Sequence, residues 1–377
     1  MAHKQLAFPA SEYQRRVETV RRAMAAIGAD VLLVDCLEHM SYLFGYAPPA
    51  AIYQPALLPL EGEPVVIVRT LDVATLTEQS WVEESVSFDD VENPIAVLER
   101  TMRERGWSNS RVAIELDSHF LPAARFQAIQ QALPQVTFLD FSRKLWELRL
   151  LKSEAEIALL RKAADVADAG MAAAIDCAGI GVSERECAAA LYAAVIRAGA
   201  DSTRSALIAS GKRTASLHGR LGNHMLEPGD ILHVESIPLV TGYGARLMRS
   251  TSIGKPDDDL RRAAETLIAL QEKQFEAMKP GALASDVDRV LREAVLASGL
   301  RTSYDNVTGY TMGFVGLPVT SDFTRAFLPT SNWRLEESMV FHMYTYAQGV
   351  AFSDTVLVTA GGAERLTRTP RQLFVRS

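Results

Sequence analysis

Cysteine is scarce: Cys36, Cys177 and Cys187 are the only three in 377 residues, and none has Cys-x-x-Cys spacing. Three thiols cannot all pair. Cys177 and Cys187 fall in Ala-rich, helix-like segments, so buried reduced thiols are expected, as suits a cytoplasmic protein. No run approaches the roughly 18 apolar residues of a membrane-spanning helix. No charged-then-apolar leader opens the sequence, so no secretion signal is expected. Positive charge is in deficit, with 39 Lys and Arg against 46 Asp and Glu and a net charge of -7. This argues against nucleic acid or an anionic membrane as the main partner. What remains is an ordinary globular composition, 48% hydrophobic and 23% charged. A chain of this length exceeds one usual core, so two domains are expected.

Periodicity supports that division. SEYQRRVETVRRAMAAIGA (11–29) spaces apolar residues as a helix does and ends at Gly28, and DVLLVD (30–35) reads as a buried strand. Strands at 63–70 and 110–117 and helices near 95–106 and 120–133 continue the alternation, which predicts an α/β domain over 1–145. A long amphipathic helix is expected over 148–175. Helices at 183–198, 257–278 and 284–298 then separate β-rich stretches at 205–218, 229–254, 305–315 and 338–360. Helices grouped with antiparallel hairpins predict an α+β domain over 146–377. GDILHVESIPLVTGYGARLMRS (229–250) reads as two strands joined by a turn.

Several stretches occur in the order seen in one family: LRLLKSEAEI, EPGDILHVESIPLVTGYGARLMRS, VTGYTMGF, ESMVFHMY and FSDTVLVTAGGAERLT. The chain resembles the pita-bread (M24 peptidase-like) family, which includes methionine aminopeptidase, Xaa-Pro dipeptidase and creatinase. The likeness implies a creatinase-like amino-terminal α/β domain and a pita-bread carboxyl-terminal domain. The peptidases of that family hold two metal ions with Asp, Asp, His, Glu and Glu. Those positions read here as Glu235, Arg246, Tyr310, Tyr344 and Ser353. Two adjacent divalent ions need several anionic or imidazole ligands, and an Arg among them repels the ions. No metal and no other cofactor is therefore expected.

Creatinase and ectoine hydrolase resemble this chain in fold and work without metal. Both attack an sp² carbon bonded to nitrogen in a small zwitterion. IPLVTGY resembles the creatinase turn, and His218 lies eleven residues before Gly229, where creatinase carries its catalytic histidine. The glutamates that hold the creatine guanidinium stand here as Met248 and Tyr344, which argues against creatine itself.

The residues allow a matching chemistry. Cleaving an amidine, guanidine or amide needs a nucleophile, a proton donor for the leaving nitrogen and charge stabilisation at the carbon. His218, in SLHGR at the end of a β-like stretch, is the candidate proton shuttle. Strand alternation sends His233 and Glu235 to one face. Glu235 can be base, nucleophile or anchor for a cation, or it can form a purely structural pair with Arg246. Arg246 suits a carboxylate or an oxyanion. Tyr310 and Tyr344 add hydroxyl donors, and His342 is a second acid–base candidate. Asp354 and Arg249 match family positions, while His224 and His233 read as structural. In the amino-terminal domain, HMSYLFGYAPPAAIYQ (39–54), with Tyr46, and Arg69 are candidates for lining the site of the partner subunit in a homodimer. The expected partner is a small-molecule substrate. Rival readings are a catalytically silent binding protein and an Xaa-Pro dipeptidase.

Overall fold

The computed structural model describes residues 4–49, 52–202, 206–316 and 321–377. It divides into two compact units, Met1–Arg149 with Gly316–Thr320 and Leu150–Val315 with Ser321–Ser377.

The first unit carries strands β1 (Val31–Val34), β2 (Ala56–Pro59), β3 (Val65–Arg69), β4 (Glu84–Phe88), β5 (Arg111–Ile114) and β6 (Thr137–Asp140) in the order β4-β3-β2-β1-β5-β6. Helices α1 (Ala10–Ile27), α2 (Leu37–Phe44), α3 (Val73–Gln79), α4 (Pro94–Glu104), α5 (Ala123–Ala132) and α6 (Lys144–Leu148) surround it. All four residues of β1, VLLV, are buried. Alternation sends Leu32 into a core with Met24 and Phe44 and Leu33 into another with Ile67 and Leu98. A strand buried on both faces needs no polar residue, which is why its sequence is a continuous apolar run.

In the second unit the long helix starts later than expected. α7 spans Glu154–Cys177, because the Ser153 side chain accepts from Glu156 N while the Glu156 carboxylate accepts from Ser153 N. The same box, Ser183 with Glu186, opens α8 (Glu184–Arg197). The plan of two helices followed by strands then repeats. The first copy continues with β7 (Ala206–Ser210), β8 (Ile231–Ser236) and β11 (Leu247–Ile253). The second is α9 (Asp258–Ala277), α10 (Ala284–Ala297), β12 (Gly309–Thr311), β13 (Val340–Ala347) and β14 (Val350–Thr359). The strands join in the order β12-β13-β14-β11-β8-β7, all antiparallel. Two short strands, β15 (Gly362–Arg365) and β16 (Phe374–Arg376), add to β14 and β11.

The stretch 229–250 is more elaborate than two strands and a turn. Between β8 and β11 it folds out a second hairpin, β9 (Leu239–Val240) and β10 (Tyr243–Gly244). Its two turn residues, Thr241 and Gly242, have φ of 52° and 75°. Two-residue hairpin turns favour this geometry, which is unusual for a β-branched Thr. The Asp201 carboxylate offsets the cost by accepting from both Thr241 N and Gly242 N, at 2.8 and 2.7 Å. A side chain at position 242 would run into the Phe314 ring.

Candidate active site

The register of the second sheet builds the site. Glu235 on β8 pairs with Met248 on β11, Met248 with Ser353 on β14, and Ser353 with Tyr344 on β13. One row away, Tyr310 pairs with His342, and His342 with Thr355. Arg246 precedes β11 and exchanges two hydrogen bonds with Thr355: its N–H donates to Oγ1, and Oγ1 donates to its carbonyl. Antiparallel alternation puts these rows on one face.

Glu235 is fully buried, and Arg246 Nε lies 3.1 Å from its Oε1. The contact is ionic: neither Glu235 oxygen has a hydrogen-bond partner among the described residues. Burial pushes the Glu235 pKa up, and the electrostatic influence of Arg246, then of His218, offsets this only in part. For Arg246 the balance reverses. Burial disfavours its charge, but Glu235 and Tyr310 more than compensate.

Arg246 Nη1 donates to the Tyr310 hydroxyl and, at 2.7 Å, to Ser321 Oγ. Tyr310 Oη lies 2.8 Å from His342 Nδ1. Burial, then Arg246, drives the His342 pKa well down, so its ring is neutral. The Tyr310 oxygen accepts from Arg246, which leaves its own proton to donate to Nδ1. The network thereby assigns the His342 proton to Nε2, an atom with no partner among the described residues. Burial pushes the Tyr310 hydroxyl up to about 12, so it stays protonated. Tyr344 lies beside His342 with ring centroids 5.3 Å apart, and its hydroxyl accepts from Asn306 Nδ2 at 3.2 Å.

His218 sits in an exposed turn after β7, not at the end of a strand. It is an electrostatic neighbour of both Glu235 and His233. His233, read from the sequence as structural, is fully buried with both ring nitrogens unpartnered among the described residues. Burial, then His218, lowers its pKa to about 4. Its alternation with Glu235 was the available signal.

Asp354 belongs elsewhere. It is buried with Arg249 at 3.0 Å and Arg371 at 2.6 Å. Burial alone would raise its pKa, but the two guanidiniums hold it below the usual carboxylate value. His224 pairs with Asp230 at 2.6 Å. Tyr46 and Arg69 lie in the first unit. Tyr46 is buried in that unit's core, and Arg69 pairs with Asp90. Of the segment 39–54, Ala50 and Ala51 lie outside the described residues. Cys36 and Cys187 are buried and Cys177 is half-buried, all three as free thiols.

Of the five side chains at the peptidases' metal positions, one is a carboxylate, and its charge is already met by a guanidinium. Among the described residues, no three His, Cys, Asp or Glu side chains are grouped to hold a metal. This donor set does not fit a dinuclear metal centre. No helix among the described residues is long and apolar enough to cross a membrane.

Residues 158–360 match metallopeptidase family M24, and residues 16–151 match the creatinase/prolidase N-terminal domain. The chain is 26% identical to an ectoine hydrolase from Halomonas elongata, over 100% of both chains. It is 25% identical to a creatinase from a Bacillus species, over 96% of this chain and 92% of that one. The structure of an Xaa-Pro dipeptidase from Bacillus anthracis superposes with a TM-score of 0.83 at 23% identity, covering 96% of this chain and 99% of the other. The chain therefore belongs to the M24 family of hydrolases, with a creatinase/prolidase amino-terminal domain ahead of the pita-bread domain.

Proposed function

We propose that the protein is a hydrolase that cleaves a C–N bond in a compact, carboxylate-bearing molecule without a bound metal. The buried Glu235–Arg246 pair carries this reading, because it puts one anion and one cation where the family's peptidases hold metal. Arg246 takes the substrate carboxylate or the developing oxyanion. Glu235, with both oxygens free of hydrogen bonds among the described residues, takes the cationic end or activates the attacking group. His218 and His342 are the proton-transfer candidates, and the Nε2–H of His342, without a partner among the described residues, is a ready donor. Tyr310 and Tyr344 flank them as substrate-binding hydroxyls.

Amidines of the ectoine type, guanidines and small amides are the substrate classes. The ectoine hydrolase and creatinase relatives support these classes; Xaa-Pro dipeptidases are equally close, and it is the Glu235–Arg246 pair that argues against a peptide. A second copy of the chain completes the cleft in this reading, its amino-terminal unit supplying exposed residues of the segment 39–54 and the region around Arg69; Tyr46, expected to bind substrate, is instead held in that unit's core. Loss of activity on dilution to monomer is the expected sign of that arrangement, and full activity in an isolated monomer contradicts it.

One observation favours a silent binding protein instead. Glu235 is wholly buried and already meets Arg246, as a plug filling a vacated metal cavity would. Turnover against a panel of amidines, guanidines, small amides and prolyl dipeptides separates the readings. Cleavage of a non-peptide compound in chelator supports the hydrolase, cleavage of the dipeptides supports a peptidase, and no cleavage supports the binding protein.

A further inference from the structure

Phe323 is a large apolar residue that the fold leaves 55% exposed. Its ring nonetheless stacks on buried Tyr310, with centroids 4.2 Å apart and planes 24° from parallel. The placement is built. Asp322, next to it, is buried, and its Oδ1 accepts from Thr311 Oγ1, Thr324 N and Thr324 Oγ1 at 3.0, 2.8 and 2.6 Å. Thr311 N in turn donates to Arg325 O at 2.9 Å. Ser321, just before Asp322, accepts from Arg246. The short segment 321–325 is thus pinned to the site's cation through Ser321 and to β12 through Asp322 and Arg325, with Phe323 held between the last two.

The stack continues inward. Tyr310 meets the His342 ring edge-on at 5.1 Å, and His342 lies nearly parallel to Tyr344 at 5.3 Å and 12°. Phe323, Tyr310, His342 and Tyr344 form one aromatic wall beside the Glu235–Arg246 pair. Only Phe323 in that wall presents a largely exposed ring.

We propose that Phe323 is a specificity-determining residue whose exposed ring face receives the planar cationic group of the substrate, an amidinium or guanidinium, as it enters the site. The proposal rests on the substrate class argued above and adds the residue that selects it. A cation over an aromatic face is attracted by the ring quadrupole, and an aliphatic side chain of similar bulk offers no such face. A zwitterion entering the site then meets the ring face with its cation and Arg246, which donates to the same Tyr310 that Phe323 stacks on, with its carboxylate.

The test uses the full-length protein and two probes, ectoine (a cyclic amidinium carboxylate) and creatine (a guanidinium carboxylate). Their binding is measured by calorimetry to wild type, Phe323→Leu and Phe323→Tyr, with a urea midpoint for each protein to establish folding. Wild type is expected to bind at least one probe. Phe323→Leu should weaken that binding by about tenfold, while Phe323→Tyr, which keeps the ring, stays close to wild type. Three outcomes overturn the proposal: no binding of either probe by wild type, Phe323→Leu binding as well as wild type, or Phe323→Tyr as weak as Phe323→Leu. Turnover is scored separately. Ring-dependent binding without cleavage keeps this proposal and removes the hydrolase reading. Cleavage indifferent to Phe323→Leu removes this proposal alone.

Discussion

Arg246 Nε lies 3.1 Å from Glu235 Oε1, with both side chains almost wholly withdrawn from solvent. Glu235 comes from β8 and Arg246 from the position just before β11, where the family resemblance places the first two metal-binding aspartates of the peptidases. On the family resemblance, a charge reversal from Asp to Arg sets an ion pair at these two positions. Removing one partner of a buried pair costs far more than removing both, since the survivor keeps an uncompensated charge. Arg246→Met should lower stability by roughly 3–5 kcal/mol, and Glu235→Met combined with Arg246→Met should recover most of the loss. Urea unfolding of the three proteins checks this, and a double variant no more stable than Arg246→Met contradicts it.

Metal content gives an independent check. Elemental analysis of purified protein is expected to find Mn, Co, Zn and Fe well below stoichiometric, and chelator should leave activity unchanged. Stoichiometric metal, with activity restored by adding it back, contradicts the assignment of Arg246 as a substitute for the metal charge.

His233 makes stability depend on pH in a definite direction. Its pKa falls from an ordinary 6.5 to about 4 in the fold. The native state therefore favours the neutral ring. This contribution is complete above pH 6.5 and is lost as pH falls toward 4, because the unfolded chain binds the proton first. The slope is about 1.4 kcal/mol per pH unit for one group. His342, also depressed, acts in the same sense. The urea midpoint should drop between pH 7 and pH 4.5, and His233→Gln should flatten that drop. An unchanged slope in the variant contradicts the buried neutral histidine.

Asp354 tests the separation of structure from site. Asp354→Asn deprives buried Arg249 and Arg371 of their shared anion. A loss of about 3–5 kcal/mol is expected, with Km and kcat of the folded fraction close to wild type. A specific loss of kcat at unchanged stability would move Asp354 into the catalytic machinery.

Part of this was legible in the sequence. Alternation in HVES and in SMVFHMY placed Glu235 beside His233 and His342 beside Tyr344, because a strand's period of two is a local property. The Tyr310–His342 hydrogen bond was not legible. It depends on pairing β12 with β13, 32 residues apart in sequence, and no local signal sets that register. The start of α7 was readable but misplaced. The capping box in SEAE marks Glu154, and the apolar pattern upstream of it belongs to α6 and the segment after it. Short elements such as β4, ESVSF, escaped because an edge strand with a single buried residue, Phe88, shows no apolar run. Phe323 carried no periodic signal, and its role emerges only once Asp322 has fixed it over Tyr310.

The kcat of Glu235→Gln decides whether the pair works on substrate or only fills space. The amide is nearly isosteric with the carboxylate but cannot act as base or nucleophile or hold a cation by charge. Substrate handling by Glu235 requires the kcat of the folded variant to fall more than about tenfold, a barrier increase above roughly 1.4 kcal/mol, a loss scored apart from the lower urea midpoint that uncompensated Arg246 brings. A variant that keeps more than about a tenth of wild-type kcat contradicts that role and shifts the catalytic assignment to His342.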